Sequence, residues 1–272
     1  MSVRRPRWDR CGSDGLYVKV TRKTIARLTP RGGTHPRTSI SRIPPLGPTR
    51  RYRAQWLDAR GDIQETEQTA PATPLLDSAH SAFVRGTLIN TTCGPIAIED
   101  LLPGDRVVTP AQGPMAVLWI GSMTLPAPGP MDSACRLTRI MTEAFGAMRP
   151  LSDLIVGPGA RFLSHPRHLR AQCGSEPVLT PAHAMTDGMQ IFDMYPRQAV
   201  TLYHICLQQH AIISASGLET ESFHPGAGFE RGLNKSTVEQ FLSFFPHIRV
   251  PRDFGPVAHM RLPLDMPGEL DI

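Results

Sequence analysis

Several features that would identify a class of protein are missing from this 272-residue chain. No apolar run approaches the ~18 residues of a membrane span, so we expect no membrane segment. The arginines near the N-terminus are not followed by the apolar stretch of a secretory signal peptide. No sequence repeat of fixed period occurs, which excludes solenoids and propellers. These absences favour a cytoplasmic protein, with non-classical secretion left open.

Paired cysteines are also missing. The five cysteines are Cys11, Cys93, Cys135, Cys173 and Cys206. Their number is odd and no two form a CxxC pair, whereas disulfide frameworks and zinc sites need closely matched cysteines. His165 and His168 are three residues apart, but Pro166 indicates a loop and no third ligand is evident. We therefore expect reduced thiols, no metal and no cofactor.

Lysine is scarce, and the positive charge is confined to one end of the chain. Only Lys19, Lys23 and Lys235 are lysines, and residues 1–60 carry a net charge of +12 while residues 61–272 carry −7. A basic arm can bind nucleic acid or an acidic partner through phosphate or carboxylate groups. This arm has neither a basic helical face nor interleaved aromatic residues. We favour an unselective tail and disfavour nucleic-acid binding.

From Phe83 the sequence changes to short apolar runs separated by turn residues, which predicts an all-β domain. The predicted strands are Gly86–Ile89, Pro95–Ile98, Arg106–Thr109, Met115–Leu125, Leu154–Val156, Arg161–Leu163, Pro177–Thr180, Val200–Leu207 and Ala211–Ser214. The segment from Arg136 to Met148 fits either a strand or a helix, and both readings stay open.

The chain divides into four regions on these patterns. Residues 1–50 read as a disordered basic extension, and residues 51–81 as a hairpin, from Tyr52–Leu57 and Ile63–Glu67, with a linker marked by Pro71 and Pro74. The β-rich domain covers residues 82–226. Residues 227–272 form a C-terminal extension. In that extension a helix over 236–246 is predicted, because Ser236 and Glu239 have the spacing of a capping box and an apolar stripe follows.

Two blocks of the β-rich region together resemble the Hint (Hedgehog/intein) domain family, in particular its bacterial stand-alone branch. The opening block is Phe83–Ile89 followed by Ile98–Val107, and the closing block is Leu202–Leu207 followed by Ala211–Gly226. The resemblance rests on Gly86, Thr87, Glu99, Asp100, Leu101, Pro103, Gly104, Asp105 and Gly217. It implies a pseudo-symmetric all-β disc whose first and last strands bring the ends of the module together. We expect the separately predicted C-terminal helix to dock on this β domain.

The resemblance also implies self-processing chemistry. In active members a Cys or Ser at the first position attacks the preceding carbonyl in an N-to-S or N-to-O acyl shift. A Thr-x-x-His segment polarises the scissile amide, and in inteins a final His-Asn pair releases the chain. The equivalent positions here are Ala82, Gly157 to Ala160, and Glu221–Ser222. None carries the required side chain, which predicts a catalytically degenerate module with a structural or interaction role.

Self-cleavage with replacement residues is the first alternative. Thr180-Pro181-Ala182-His183 has the Thr-x-x-His form, so Ser81 with His183 could cleave near residue 81 or 82. Release at Glu221–Ser222 is a variant of this hypothesis. We favour a simple turn at Thr180, because Thr-Pro is ordinary turn chemistry and the spacing from residue 82 is long.

Other side chains allow further readings. His204 and Cys206 alternate on a predicted strand, so they either line a site or pack in the core. Ser222 with Glu221 and His224 permits a hydrolase reading that matches no known hydrolase spacing. Binding through the basic arm at residues 1–60 is a further alternative, which would be salt-dependent and lost with the arm. A protein partner and the oligomeric state stay open.

Overall fold

The computed structural model describes residues 48–127, 136–165 and 176–263, which are predominantly β structure. The strands of the N-terminal half are β1 Thr49–Leu57, β2 Ile63–Pro71, β3 Phe83–Val84, β4 Leu88–Thr91, β5 Gly94–Ala97, β6 Arg106–Thr109, β7 Gly113–Leu125 and β8 Leu137–Ile140. They are followed by β9 Leu154–Val156, β10 Arg161–Ser164, β11 Val178–Pro181, β12 Ile191–Met194, β13 Val200–Leu207, β14 Ile212–Ala215, β15 Leu218–Glu221 and β16 Met260–Arg261.

Two α-helices within the described ranges flank the β-rich region. Helix α1 is Pro74–His80 and helix α2 is Lys235–Leu242. Short 3-10 helices occupy Ile98–Asp100, Ala182–Met185 and Pro251–Phe254. In the three described ranges no helix is long and apolar enough to cross a membrane.

Strand β7 is the centre of the architecture. Its first residues pair with β6, and its remaining residues pair with β13 along one edge. The sheet continues from β13 through β3, β9 and β8 to β12, and from β6 through β4, β14, β15, β10 and β11 to β16. Along the other edge of β7, β1 pairs antiparallel from Tyr52 to Trp56. The predicted hairpin is therefore a part of the main sheet.

Two apolar cores lie on opposite sides of the β7–β13 pair. The first core is internal to the β-rich region and includes Ala82, Phe83, Ile120, Ile205 and Ile213. The second core lies against the face that carries Trp119, Met123 and Leu202, and segments before and after the β-rich region cover it. Its outer layer contains Tyr52, Ala54, Leu76, Ala79, Phe241, Phe244, Phe245 and Phe254.

The structure corrects the sequence predictions at several places. Helix α1 occupies the predicted linker, because Pro74 starts the helix and the side chain of Thr73 caps it by accepting from the Leu76 N–H. Helix α2 is capped by Asn234, not by Ser236, since the Asn234 side chain accepts the Thr237 N–H. It ends at Leu242 instead of 246, where the chain tightens into turns.

The strands were predicted more accurately than the two helices. Three strands have the predicted bounds, namely β6, β9 and β13. The ambiguous segment after Arg136 is strand β8 followed by turns. Strands β3, β12, β15 and β16 were missed, because each is at most four residues long and has no clear alternation of its own.

Candidate functional site

The peptide bond between Ser81 and Ala82 is buried where helix α1 meets strand β3. The Ala82 N–H donates to the carbonyl of Tyr203 over 3.0 Å, and the Ala82 carbonyl accepts the Gly157 N–H over 2.9 Å. The Ser81 carbonyl accepts the Gly159 N–H over 3.1 Å. The structure thus brings together the two positions that the family pattern assigns to the nucleophile and the Thr-x-x-His segment.

Backbone atoms of the described residues crowd the space beside this peptide bond at Gly157 and Gly159. A Cβ atom on Gly157 would overlap the Ser81 carbonyl oxygen, and one on Gly159 would overlap the Ser78 carbonyl oxygen. Ala160 offers only a methyl group and is buried. A threonine at 157 therefore cannot be accommodated while helix α1 and Ser81 stay in place.

Ser81 and His183, the predicted replacement pair, do not interact. The Ser81 hydroxyl is buried and has no hydrogen-bond partner among the described residues. His183 lies in the 3-10 helix after β11, where the Ala182 N–H donates to the Ala160 carbonyl. Thr180 bonds to Ser164 across the β10–β11 pair, with 2.7 Å between their hydroxyl oxygens. Thr180 is thus part of the hydrogen bonding between β10 and β11, and none of the described residues hydrogen-bonds to the Ser81 hydroxyl.

His80, which was not among the candidates from the sequence, lies directly before the Ser81–Ala82 peptide bond, called here the junction. Its Nδ1–H donates to the Leu76 carbonyl over 2.7 Å, which leaves Nε2 as an unprotonated atom with no partner in the described structure. Burial lowers the pKa of His80 to about 4. The ring packs against Trp119, Tyr52 and Phe244 and lies over Gly121, whose lack of a side chain admits it. His80 is thus a neutral packing residue at neutral pH.

His204 and Cys206 face the second core, as their alternation on β13 requires. The Ile205 N–H donates to His204 Nδ1, so Nε2 carries the proton and has no partner in the described part of the chain. Burial, with Arg261 and Arg161 nearby, lowers the pKa of His204 to about 3. Burial raises the pKa of the Cys206 thiol, which therefore stays protonated. These properties favour packing over nucleophilic catalysis.

The closing block contains a buried charge cluster. The Glu221 carboxylate lies 3.2 Å from Arg161, 3.0 Å from Arg261 and 3.0 Å from His210 Nε2. Burial alone would raise the pKa of Glu221, but Arg261, His210 and Arg161 together lower it to about 2. Glu221 is therefore an ionised structural residue.

Ser222 is also committed to backbone contacts. Its hydroxyl accepts the Ala211 N–H over 3.0 Å, and its own N–H donates to the Ala211 carbonyl. His224 bonds to the Gly255 carbonyl and to the Gly226 N–H, and makes no hydrogen bond to Ser222. The hydrolase arrangement of Ser222, Glu221 and His224 is therefore not formed, because Ser222 and His224 bond to separate backbone segments and Glu221 pairs with Arg161, Arg261 and His210.

The motif residues of the opening block shape turns. The Glu99 carboxylate accepts the Gly86 N–H over 2.7 Å, and the Asp105 carboxylate accepts the Leu102 N–H over 2.9 Å. Gly86 and Gly104 have φ angles of +90° and +100°, which side-chain-bearing residues rarely adopt. These contacts explain the Gly and acidic positions in the sequence pattern without any catalytic role.

The remaining candidate residues form no functional site in the part of the chain that the structure describes. Of the cysteines, Cys93 is exposed and Cys206 is buried, and the other three lie outside the described residues. His165 lies within the described ranges, whereas His168 and residues 1–47 of the basic arm do not. Among the described residues no group of three or more His, Cys, Asp or Glu side chains is arranged to hold a metal ion.

Comparison with known proteins identifies a family to which this chain is similar. A family model described as the Hint domain matches residues 81–227. Among solved structures, a bacterial intein-like domain from Clostridium thermocellum is similar with 16% sequence identity and a TM-score of 0.36. That match covers 53% of this chain and 98% of the other. No curated protein matches the chain significantly.

Proposed function

The chain belongs to the Hint domain family, and from this premise we propose that it carries a Hint module that does not process itself and acts as a structural or interaction module. One observation carries the proposal: the backbone of Gly157 and Gly159 occupies the place beside the Ser81–Ala82 peptide where catalytic side chains would be needed. Ala82 has no nucleophilic atom, so an acyl shift at that position has no first step.

The burial of the junction supports the same conclusion. Helix α1 precedes the junction and packs on the second core through Leu76 and Ala79. Strand β1, further upstream, is hydrogen-bonded to β7. A break after Ser81 would therefore leave the upstream segment bound to the module, whereas self-processing serves to separate two parts of a chain.

Self-cleavage by Ser81 is the competing function. Its hydroxyl would have to attack the carbonyl of His80 and needs a base, yet no side chain in the described structure accepts its proton. An unpartnered buried hydroxyl is a destabilising feature. Ser81→Ala is accordingly expected to leave the free energy of unfolding unchanged or to raise it by about 1 kcal/mol.

The intact mass of full-length protein tagged at both ends separates the two functions. Wild type, Ser81→Ala, His183→Ala and Ser222→Ala are incubated with and without thiol or hydroxylamine. Ser78→Ala is the matched control, since Ser78 lies in helix α1 and its hydroxyl donates to the Leu75 carbonyl. We expect one full-length mass throughout. Fragments that end near residue 81 or 221, and that disappear in Ser81→Ala or Ser222→Ala but persist in Ser78→Ala, would overturn the proposal.

A further inference from the structure

Arg161 and Arg261 meet at a single carboxylate in the closing block. Arg161 Nη1 donates to Glu221 Oε1 over 3.2 Å, and Arg261 Nη2 donates to the same oxygen over 3.0 Å. Glu221 Oε2 accepts the Nε2–H of His210, whose Nδ1 accepts the Ala258 N–H, so this ring is neutral. One carboxylate thus faces two guanidinium groups, and one positive charge is left unbalanced.

The unbalanced charge is buried. The side chains of Arg161, Arg261 and Glu221 are only 7%, 13% and 1% exposed. No other carboxylate in the described ranges pairs with either arginine. Burial, with the neighbouring Arg261 adding to it, lowers the pKa of Arg161 to about 10 in spite of Glu221. A buried charge without a counter-charge is costly, so the cluster favours a further anion.

Both guanidinium groups also keep an N–H donor that no described residue accepts. The Nε atoms of Arg161 and Arg261 are buried and have no hydrogen-bond partner in the described structure. The Nε–H and one Nη2–H of a guanidinium run parallel and form an edge that can bind an anion through two hydrogen bonds. Arg261 uses only the Nη2 half of this edge, on Glu221 Oε1, so its Nε–H remains free. Excess charge and free donors therefore coincide in one cluster.

We propose that this cluster binds one small monovalent anion of the size of chloride at the free Nε–H edge of Arg261, with the Arg161 guanidinium beside it. One negative charge would balance two arginines and one carboxylate, whereas a divalent phosphate or sulfate would leave a buried negative charge in excess. Space near Arg261 is narrow, because a Cβ atom on Gly226 would lie 3.2 Å from Arg261 Nη1. The site goes beyond the proposed function, since it concerns a ligand of the module whether or not the chain cleaves itself.

The anion would stabilise the fold, because the groups around it come from separate parts of the chain. Arg161 lies on strand β10, Glu221 on β15 and Arg261 on β16. Unfolding separates these strands, so the unfolded chain does not contain the site. A ligand that binds only the folded form lowers the unfolding equilibrium constant by the factor 1 + [L]/Kd. Stability should therefore rise with the concentration of chloride beyond what ionic strength alone causes.

Thermal unfolding of the full chain in sodium chloride and in sodium gluconate of equal ionic strength tests the site. Gluconate screens surface charges equally but is too large for a narrow, buried cluster. We expect chloride to lower the unfolding equilibrium constant relative to gluconate, by about elevenfold at a chloride concentration of ~10 Kd. Arg261→Gln removes the excess charge and the free donor, and should unfold alike in both salts. Arg139→Gln is the matched control, since Arg139 pairs with Asp153 at the surface, and should keep the wild-type difference.

A bromide derivative locates the anion directly. Crystals grown in sodium bromide should show an anomalous scattering peak beside the Arg261 guanidinium. Equal stability of the wild type in the two salts, or a map without this peak, would overturn the site, because water would then satisfy the free N–H groups. A chloride effect that is as large in Arg261→Gln would exclude the cluster as its cause. The wild-type series and the bromide map decide the question even if a variant fails to fold. A cleavage product in the mass experiment would contradict only the proposed function.

Discussion

At the residue scale, individual glycines decide what the junction can contain. Gly157 presents its N–H to the Ala82 carbonyl and its Cα to the Ser81 carbonyl, so the missing side chain is part of the packing. In the sequence, Gly157 and Ala160 stand at the positions where the family resemblance implies Thr and His. The close approach of the Ser81 carbonyl to Gly157 could not be predicted, because it depends on where helix α1 lies.

Gly157→Ala is expected to destabilise the protein by about 2 kcal/mol or more, because overpacking against backbone cannot be relieved by a side-chain rotation. Chemical denaturation monitored by tryptophan fluorescence measures the effect. Pro158→Ala is the matched control, since Pro158 is exposed between the two buried glycines. Equal stability of the two variants would show that the junction tolerates a side chain and would weaken the proposed function.

Glu221→Gln tests the buried charge cluster, in which one carboxylate serves two arginines. We expect a loss of about 3–5 kcal/mol of stability, because removing one partner leaves buried charge uncompensated. Glu219→Gln is the matched control, because Glu219 lies two residues away on the same strand and its pair with Arg149 is solvent-exposed. This substitution should change stability by less than about 0.5 kcal/mol. Thermal unfolding at pH 7 compares the two, and similar losses would mean that Glu221 is not the organising charge.

At the element scale, the two α-helices are held by the core that they cover. Helix α1 has seven residues and helix α2 has eight, which is too short for stability in isolation. The Trp119 indole N–H donates to the Phe244 carbonyl over 2.6 Å just after α2, and Phe245 stacks on Trp119 with 4.4 Å between ring centroids. Tertiary contacts therefore determine where both helices lie.

Phe245→Ala should destabilise the protein by about 3–5 kcal/mol, because a fully buried aromatic ring is removed and the site cannot close around the cavity. Gln240→Ala, on the exposed side of α2, serves as the control and should change stability by less than about 0.5 kcal/mol. Urea denaturation gives both values. If Phe245→Ala also proved nearly neutral, the C-terminal extension would not be an integral part of the fold.

At the scale of the whole molecule, the family match and the folding unit have different extents. The family model covers residues 81–227, but strand β1, helix α1 and helix α2 complete the second core from outside that range. We propose that residues 48–263 fold as one unit. The predicted division at residues 82 and 226 marks the limits of the resemblance, and the apolar contacts cross both limits.

A fragment of residues 82–226 is expected to lack cooperative thermal unfolding and to bind a hydrophobic dye, because it exposes the apolar face around Trp119 and Met123. The fragment 48–263 is the matched comparison and should melt as the full chain does. Circular dichroism and dye fluorescence on both fragments check this. A cooperative melt of 82–226 equal to that of 48–263 would confine the folding unit to the family-matched region.

The sequence by itself determined the all-β class, the family and most of the strands. Strand alternation, turn glycines and motif residues are local properties, so they can be read in the order of the chain. Tertiary structure alone decided the helix at 74–80, the burial of His80 and Ser81, and the cluster of Glu221, Arg161, Arg261 and His210. These depend on contacts between residues far apart in the chain, such as Trp119 with Phe244 and Glu221 with Arg261, and no local pattern encodes such partners.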